Sequence, residues 1–171
     1  MPQTAFILVL TDDEARGQRL REVLREKFGH VCSVVQALRE ALDSIRARPP
    51  DVVLTHPQVG GAPTLAPLAE LLDGVSRDAA LLVRGTAELP QVRHIHLASI
   101  ADTADVDTLA QTVSTAARRA VARREDRLLK DSIADQQAEA FEGIVGVSPA
   151  MRRIVERIKK AARNKLTVLI L

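Results

Sequence analysis

Aromatic side chains are almost missing from this sequence: it has three Phe, no Trp and no Tyr. That excludes modules that stack nucleic-acid bases on exposed rings. It also leaves Val, Leu, Ile and Ala to build the core. Cysteine occurs once, as Cys32 in HVCSVV. A lone cysteine forms no internal disulfide and no Cys-based metal site, so Cys32 reads as a small core residue. No apolar run approaches the roughly 18 residues of a membrane span, and no basic stretch precedes an apolar one at the start. The expectation is a soluble, cytoplasmic protein with no membrane partner.

What is present is ample aliphatic material. Hydrophobic residues make up 46% of 171, enough for one ordinary domain, or for a small domain with an extension. Charge is divided unevenly. Residues 1–110 hold 11 basic and 15 acidic side chains, whereas residues 111–171 hold 13 and 7. A basic second half suggests nucleic acid. Arginines along a long helix are more simply its solvated face.

Short apolar runs alternate with amphipathic segments. AFILVL (Ala5–Leu10), HVCSVV, DVVLT (Asp51–Thr55), AALLVRG and HIHLAS read as strands. Near-continuous apolar runs of this length suit buried parallel strands. Between the first two, Thr11–Asp13 cap a helix striped by Leu20, Val23, Leu24 and Phe28, and Gly29 ends it. QALREALDSIRARPP is a second helix closed by Pro49–Pro50, and TLAPLAELLDGV is a third, short or kinked at Pro67. HPQVGGAP reads as a loop, and TAELPQVR as a weak helix or loop. The pattern implies an α/β fold: a five-stranded, doubly wound parallel sheet over about residues 4–118. In such sheets the functional crevice lies at the carboxyl ends of the strands. Thr11–Asp13, Thr55–His56, Gly85–Thr86 and Ala98–Asp102 would surround one mouth.

ILVLTDDEARGQRLREVL and PPDVVLTHPQVGG resemble the opening and the third-strand region of response-regulator receiver domains, a flavodoxin-like fold. The resemblance implies a magnesium-binding acid pair after the first strand. Here Thr11 and Asp12 occupy that pair, with Asp13 beside it, leaving a degenerate acidic pocket of Asp12 and Asp13. It implies a phosphoacceptor Asp after the third strand, where this chain has His56. The expected hydroxyl falls at Gly85 or Thr86. The expected lysine has no counterpart, and its place aligns with Asp102. Acyl-phosphate chemistry needs a carboxylate nucleophile, a divalent ion and a cation over the phosphoryl oxygens. The expectation is a pseudo-receiver with no phosphoacceptor, no catalytic residue and no metal. A metal or phosphohistidine site built from His56, His94, His96 and Asp12 is the alternative. His94 and His96 would share one face of a strand. The simpler reading makes His56 a neutral replacement and the other two ordinary strand residues.

From Asp105 a helical pattern continues to about Ala140, roughly 50 Å at 1.5 Å per residue. Its stripe of Val106, Leu109, Val113, Ala116, Ala117, Ala120, Val121, Leu128 and Ile133 first covers the sheet. Residues 119–140 then form a linker helix expected to pair with a second copy as a short coiled coil.

Residues 141–171, FEGIVGVSPAMRRIVERIKKAARNKLTVLIL, look like the start of the AAA+ domain of NtrC-type, sigma-54-dependent transcription activators. Ser148 and Pro149 open a helix faced by Met151, Ile154, Val155, Ile158 and Ala162. The strand up to Leu171 would be the lead-in to a glycine-rich phosphate loop. By resemblance, Gly143, Ile144, Val145 and Gly146 lie at the adenine end of a nucleotide pocket. The intact parent would use ATP and magnesium, contact sigma-54 RNA polymerase and bind enhancer DNA. This chain needs no cofactor of its own and would lack ATPase activity. The expected role is regulatory: a phosphorylation-independent pseudo-receiver controlling assembly of the motor. The rival is a stand-alone adaptor that binds a partner protein.

Overall fold

Five parallel strands realise the five apolar runs. The computed structural model describes residues 4–138 and, beyond them, Ile154, Arg157 and Ile158, which are helical. Gly143, Ile144, Val145 and Gly146, the strand expected before Leu171 and most of the helix from Ser148 lie outside the described residues. The chain divides into two units, Met1–Arg124 and Glu125–Leu171.

In chain order the elements are β1 (Phe6–Leu10), α1 (Glu14–Phe28), β2 (Val31–Val35), α2 (Leu38–Ala47), β3 (Val52–Thr55), β4 (Gln58–Val59), β5 (Ala62–Pro63), α3 (Leu65–Val75), β6 (Ala80–Arg84), β7 (His96–Ile100) and α4 (Val106–Ala138). The sheet order is β2-β1-β3-β6-β7, all parallel. The order doubles back at β1, which puts helices on both faces.

Side chains alternate across the sheet, as the period of two requires. Ile7, Val9, Val52, Leu54 and Leu82 face α1 and α4, where Leu20, Leu24, Leu109, Val113 and Val121 meet them. Leu8, Leu10, Val53, Leu81 and Val83 face α2 and α3, against Ala41, Ile45, Leu68 and Leu72. Each fully buried aliphatic side chain contributes about 1.5–3 kcal/mol, which a core without Trp or Tyr draws from many small contacts. Cys32 packs against the first of these layers, as expected of a small core residue, and burial pushes its thiol up to about 12.

Local signals end the elements. The Asp13 carboxylate accepts the Arg16 N–H at 2.9 Å and caps α1, and Gly29 closes it at φ 70°. Pro67 sits in the first turn of α3, where a missing N–H costs nothing. The segment HPQVGGAP is not a plain loop: Gln58–Val59 and Ala62–Pro63 make a minimal hairpin, turned by Gly60 and Gly61 at φ 57° and 78°. TAELPQVR has no helix. The Asp73 carboxylate pins its end by accepting the N–H groups of His94 and Ile95 at 2.8 and 3.3 Å. The strand after it begins at His96, so His94 lies outside it.

In α4, Leu109, Ala110, Val113, Ala117, Ala120 and Val121 are buried, whereas Leu128 and Leu129 are 55% and 64% exposed. The same helix thus carries a packed stripe and then uncovered leucines. Among the described residues no helix is long and apolar enough to cross a membrane.

Candidate functional site at the mouth of the sheet

The carboxyl ends of β1, β3 and β6 and the loop after β7 converge on one mouth. Parallel register decides which side chains meet there. Thr55 of β3 pairs with Val83 of β6, so His56 stands beside Arg84. The next residue, Gly85, turns the chain away at φ 92° and donates its N–H to Ile100 O at 2.8 Å.

Arg84 is the centre of the site. It is only 4% exposed, which a guanidinium tolerates only with good partners. Its Nη1 lies 3.2 Å from His56 Nε2. Its Nη2 donates to the Asp102 backbone oxygen at 2.7 Å and pairs with Asp102 Oδ1 at 3.1 Å. Its Nε is buried without a partner. Since Arg can only donate, His56 Nε2 must be the acceptor, and the ring proton belongs on Nδ1. Nδ1 is 3.9 Å from Asp102 Oδ1. Burial, then Arg84, hold the His56 pKa below its usual value, partly offset by Asp102 and Asp12. His56 is therefore a neutral imidazole at pH 7.

Threonines fix the backbone of His56. The Thr64 hydroxyl donates to the His56 carbonyl, and Thr55 Oγ1 lies 3.0 Å from the same oxygen. Thr11 is buried and accepts the Asp13 N–H at 3.2 Å. Arg16 of α1 donates from Nη2 to Ala104 O at 2.5 Å. Gly17 lets α1 come this close to the sheet, since an added Cβ would lie 2.8 Å from Val34 Cγ1. Beneath these groups lies a gap of about 10 Å³, walled by Leu10, Leu20, Leu54 and Leu109 as well as by Thr11, His56 and Arg84.

The structure brings together Thr11, His56 and Asp102 as the sequence anticipates. It separates the histidines: His94 borders a groove with α3, His96 a cleft with α4, and neither lines the His56 cavity. Gly85 and Thr86 do not supply the expected hydroxyl, because the register puts Arg84 in that slot. Sequence reasoning missed Arg84 and Arg16. The signal for Arg84 was a charged residue ending the otherwise apolar strand ALLVR.

The acidic pair is depleted relative to two free carboxylates. Asp13 is committed to the helix cap, Asp12 is exposed, and Thr11 supplies no charge. Among the described residues no group of three His, Cys, Asp or Glu is placed to hold a metal.

No protein-family model matches the sequence, and neither does any curated protein. Solved structures do match. The chain is similar to NtrX from Brucella abortus, crystallised with ATP, at 19% identity and a TM-score of 0.57, over 94% of this chain and 35% of that one. The N-terminal domain of a response regulator/sensory box/GGDEF protein from Carboxydothermus hydrogenoformans aligns at 17% identity and TM-score 0.53, over 69% of this chain and 98% of that one. A CheY-like receiver domain from Methylobacillus flagellatus gives 15% and 0.52, over 67% and 99%. The fold is that of a response-regulator receiver domain. Here a long helix follows the sheet of that fold, and the mouth carries an imidazole and a buried guanidinium.

Proposed function

We propose that this chain is the regulatory part of a sigma-54-dependent activator, in which a receiver that is not phosphorylated governs self-association through the linker helix. One observation carries the reading: Arg84 fills the mouth and uses up the lone pair of His56. A carboxylate nucleophile is absent. The remaining nitrogen of His56 bears the proton, so neither ring nitrogen offers a free lone pair to a phosphoryl donor while Arg84 stays in place. The order of receiver, long helix and GIVGVSPAM supports the activator assignment, as does the likeness to NtrX. The exposed Leu128 and Leu129 supply apolar surface for pairing of the helix.

The test is incubation with acetyl phosphate and magnesium, read by intact mass. The unmodified chain is expected to gain no phosphoryl group. His56→Asp is expected to stay inert as well, because Arg84 would pair with the new carboxylate. Uptake by the unmodified chain would sink the reading.

A further inference from the structure

The mouth and the long helix are joined by a short loop, Ala101–Asp105, and two arginines hold that loop. Arg84 reaches it from β6 and takes both the backbone oxygen and the carboxylate of Asp102. Arg16 reaches it from α1 and takes the backbone oxygen of Ala104. The two carbonyls are two residues apart. Immediately after them, Asp105 caps α4: its carboxylate accepts the Thr108 N–H and the Thr108 hydroxyl, both at 2.8 Å. Burial of Leu109, Ala110 and Val113 follows within two turns.

Arg84 is oriented from behind by His56. Its Nε has no protein partner, so the hydrogen bonds that hold the guanidinium to the protein come from its terminal nitrogens. Loss of the imidazole acceptor would leave Nη1 unsatisfied in a buried place, and the cation would have reason to leave. The contacts run from His56 to Arg84 and from Arg84 to Asp102, and three residues of backbone then lead from Asp102 to the Asp105 cap of α4.

The geometry points to Arg84 as a positioning residue that hard-wires the mouth of the sheet to the start of α4, so that the helix is set by an internal cation in place of a covalent signal. This rests on the reading of the mouth as unphosphorylated and adds its regulation. His56 acts through Arg84. Any event that displaces Arg84, such as a competing anion or carboxylate, would release the loop and with it the first turn of the helix.

Backbone hydrogen exchange on the full chain tests this, because it reads the loop separately from the rest of the sheet. In Arg84→Met, amides of residues 101–109 are expected to exchange at least about tenfold faster, with amides of β1 and β3 changed less than about threefold. Arg84→Lys keeps the charge but loses the fork, so it should protect the loop only in part. His56→Gln retains an acceptor for Nη1 and should leave protection near that of the unmodified chain, whereas His56→Leu should loosen the same residues as Arg84→Met. If Arg84→Met fails to fold, the His56 pair still decides. Unchanged exchange at 101–109 in His56→Leu overturns the proposal. So does faster exchange spread evenly over the sheet, which would make Arg84 a general stabiliser. Phosphoryl uptake by the unmodified chain would overturn the earlier reading while leaving this exchange result standing, so the two failures are distinguishable.

Discussion

The two ends of the sheet hold the same three kinds of residue with their burial inverted. At the carboxyl end, Arg84 is buried while its partner Asp102 has a side chain 62% exposed. At the amino end, Asp51 has a side chain 7% exposed while its partner Arg124 is 44% exposed. A histidine attends each pair: His56 at the mouth and the buried His30 at the base. The ends of parallel strands explain the inversion. Amino ends present unpaired N–H groups, which suit a buried carboxylate, and carboxyl ends present carbonyls, which suit a buried cation. Asp51 accepts the Phe6 N–H at 2.8 Å at the start of β1, and Arg84 donates to the Asp102 carbonyl past the end of β7. The sheet's own polarity selects which partner is buried.

The sharpest way to break the comparison is at the base. Asp51→Ala removes the acceptor of the Phe6 N–H and the partner of Arg124, which lies 2.5 Å from Asp51 Oδ1. The expected loss is about 2–3 kcal/mol, less than for a pair buried on both sides because Arg124 can turn to water. Urea denaturation measures it. A loss under about 0.5 kcal/mol would mean that the buried carboxylate is not what closes this end.

The second effect is acid sensitivity. Ala5 N–H points at His30 Nδ1 at 3.4 Å, so Nε2 carries the proton and donates to Ser114 Oγ at 3.0 Å. Phe28 stacks against the ring. Burial first, then Arg118 of α4, hold the His30 pKa below its usual value, while Asp51 pulls the other way. A depressed histidine is neutral in the folded chain, so the unfolded chain binds the proton first as pH falls. The stability it contributes is complete above about pH 6.5. It declines as pH drops from there through the folded value, by at most about 1.4 kcal/mol per pH unit for one proton. Urea midpoints between pH 8 and 5 should fall in acid, and His30→Gln should make the slope shallower. His56, depressed in the same direction, adds to the same slope. A flat profile in the unmodified chain would remove His30 from the account.

The sheet was legible in the sequence because each strand is a short apolar run bounded by a helix cap or a proline, and such signals are local. Gly29, Asp13 and Pro49–Pro50 fixed the ends of helices without tertiary help. The mouth was legible only in part. Thr11, His56 and Asp102 could be placed by counting from strand ends, but Arg84 depended on register. A slip of one or two residues on β6 moved the expected slot to Gly85 or Thr86, and only the pairing of Thr55 with Val83 corrects it. Arg16 was beyond reach, since its acceptor lies 88 residues away. The hairpin at Gly60–Gly61 was legible in principle, because paired glycines between short β-formers mark a turn. The Asp73 anchor of the segment before β7 was not, because it too is a long-range contact.

The smallest predicted effect sharpens the comparison most cheaply. Lys27 and Asp107 also tie α1 to the start of α4, at 2.6 Å, a shorter contact than Arg84 makes with Asp102 Oδ1. Both side chains of that pair are mostly in water, where screening and side-chain entropy cancel most of the attraction. Lys27→Ala is therefore expected to change stability by less than about 0.5 kcal/mol and to leave exchange at residues 101–109 unaltered. Arg84→Met, at a longer contact, should disturb that loop strongly. If Lys27→Ala loosened the loop as much as Arg84→Met, then proximity would govern the hold on α4. The difference between a buried cation on carbonyls and an exposed ion pair would then lose its meaning here.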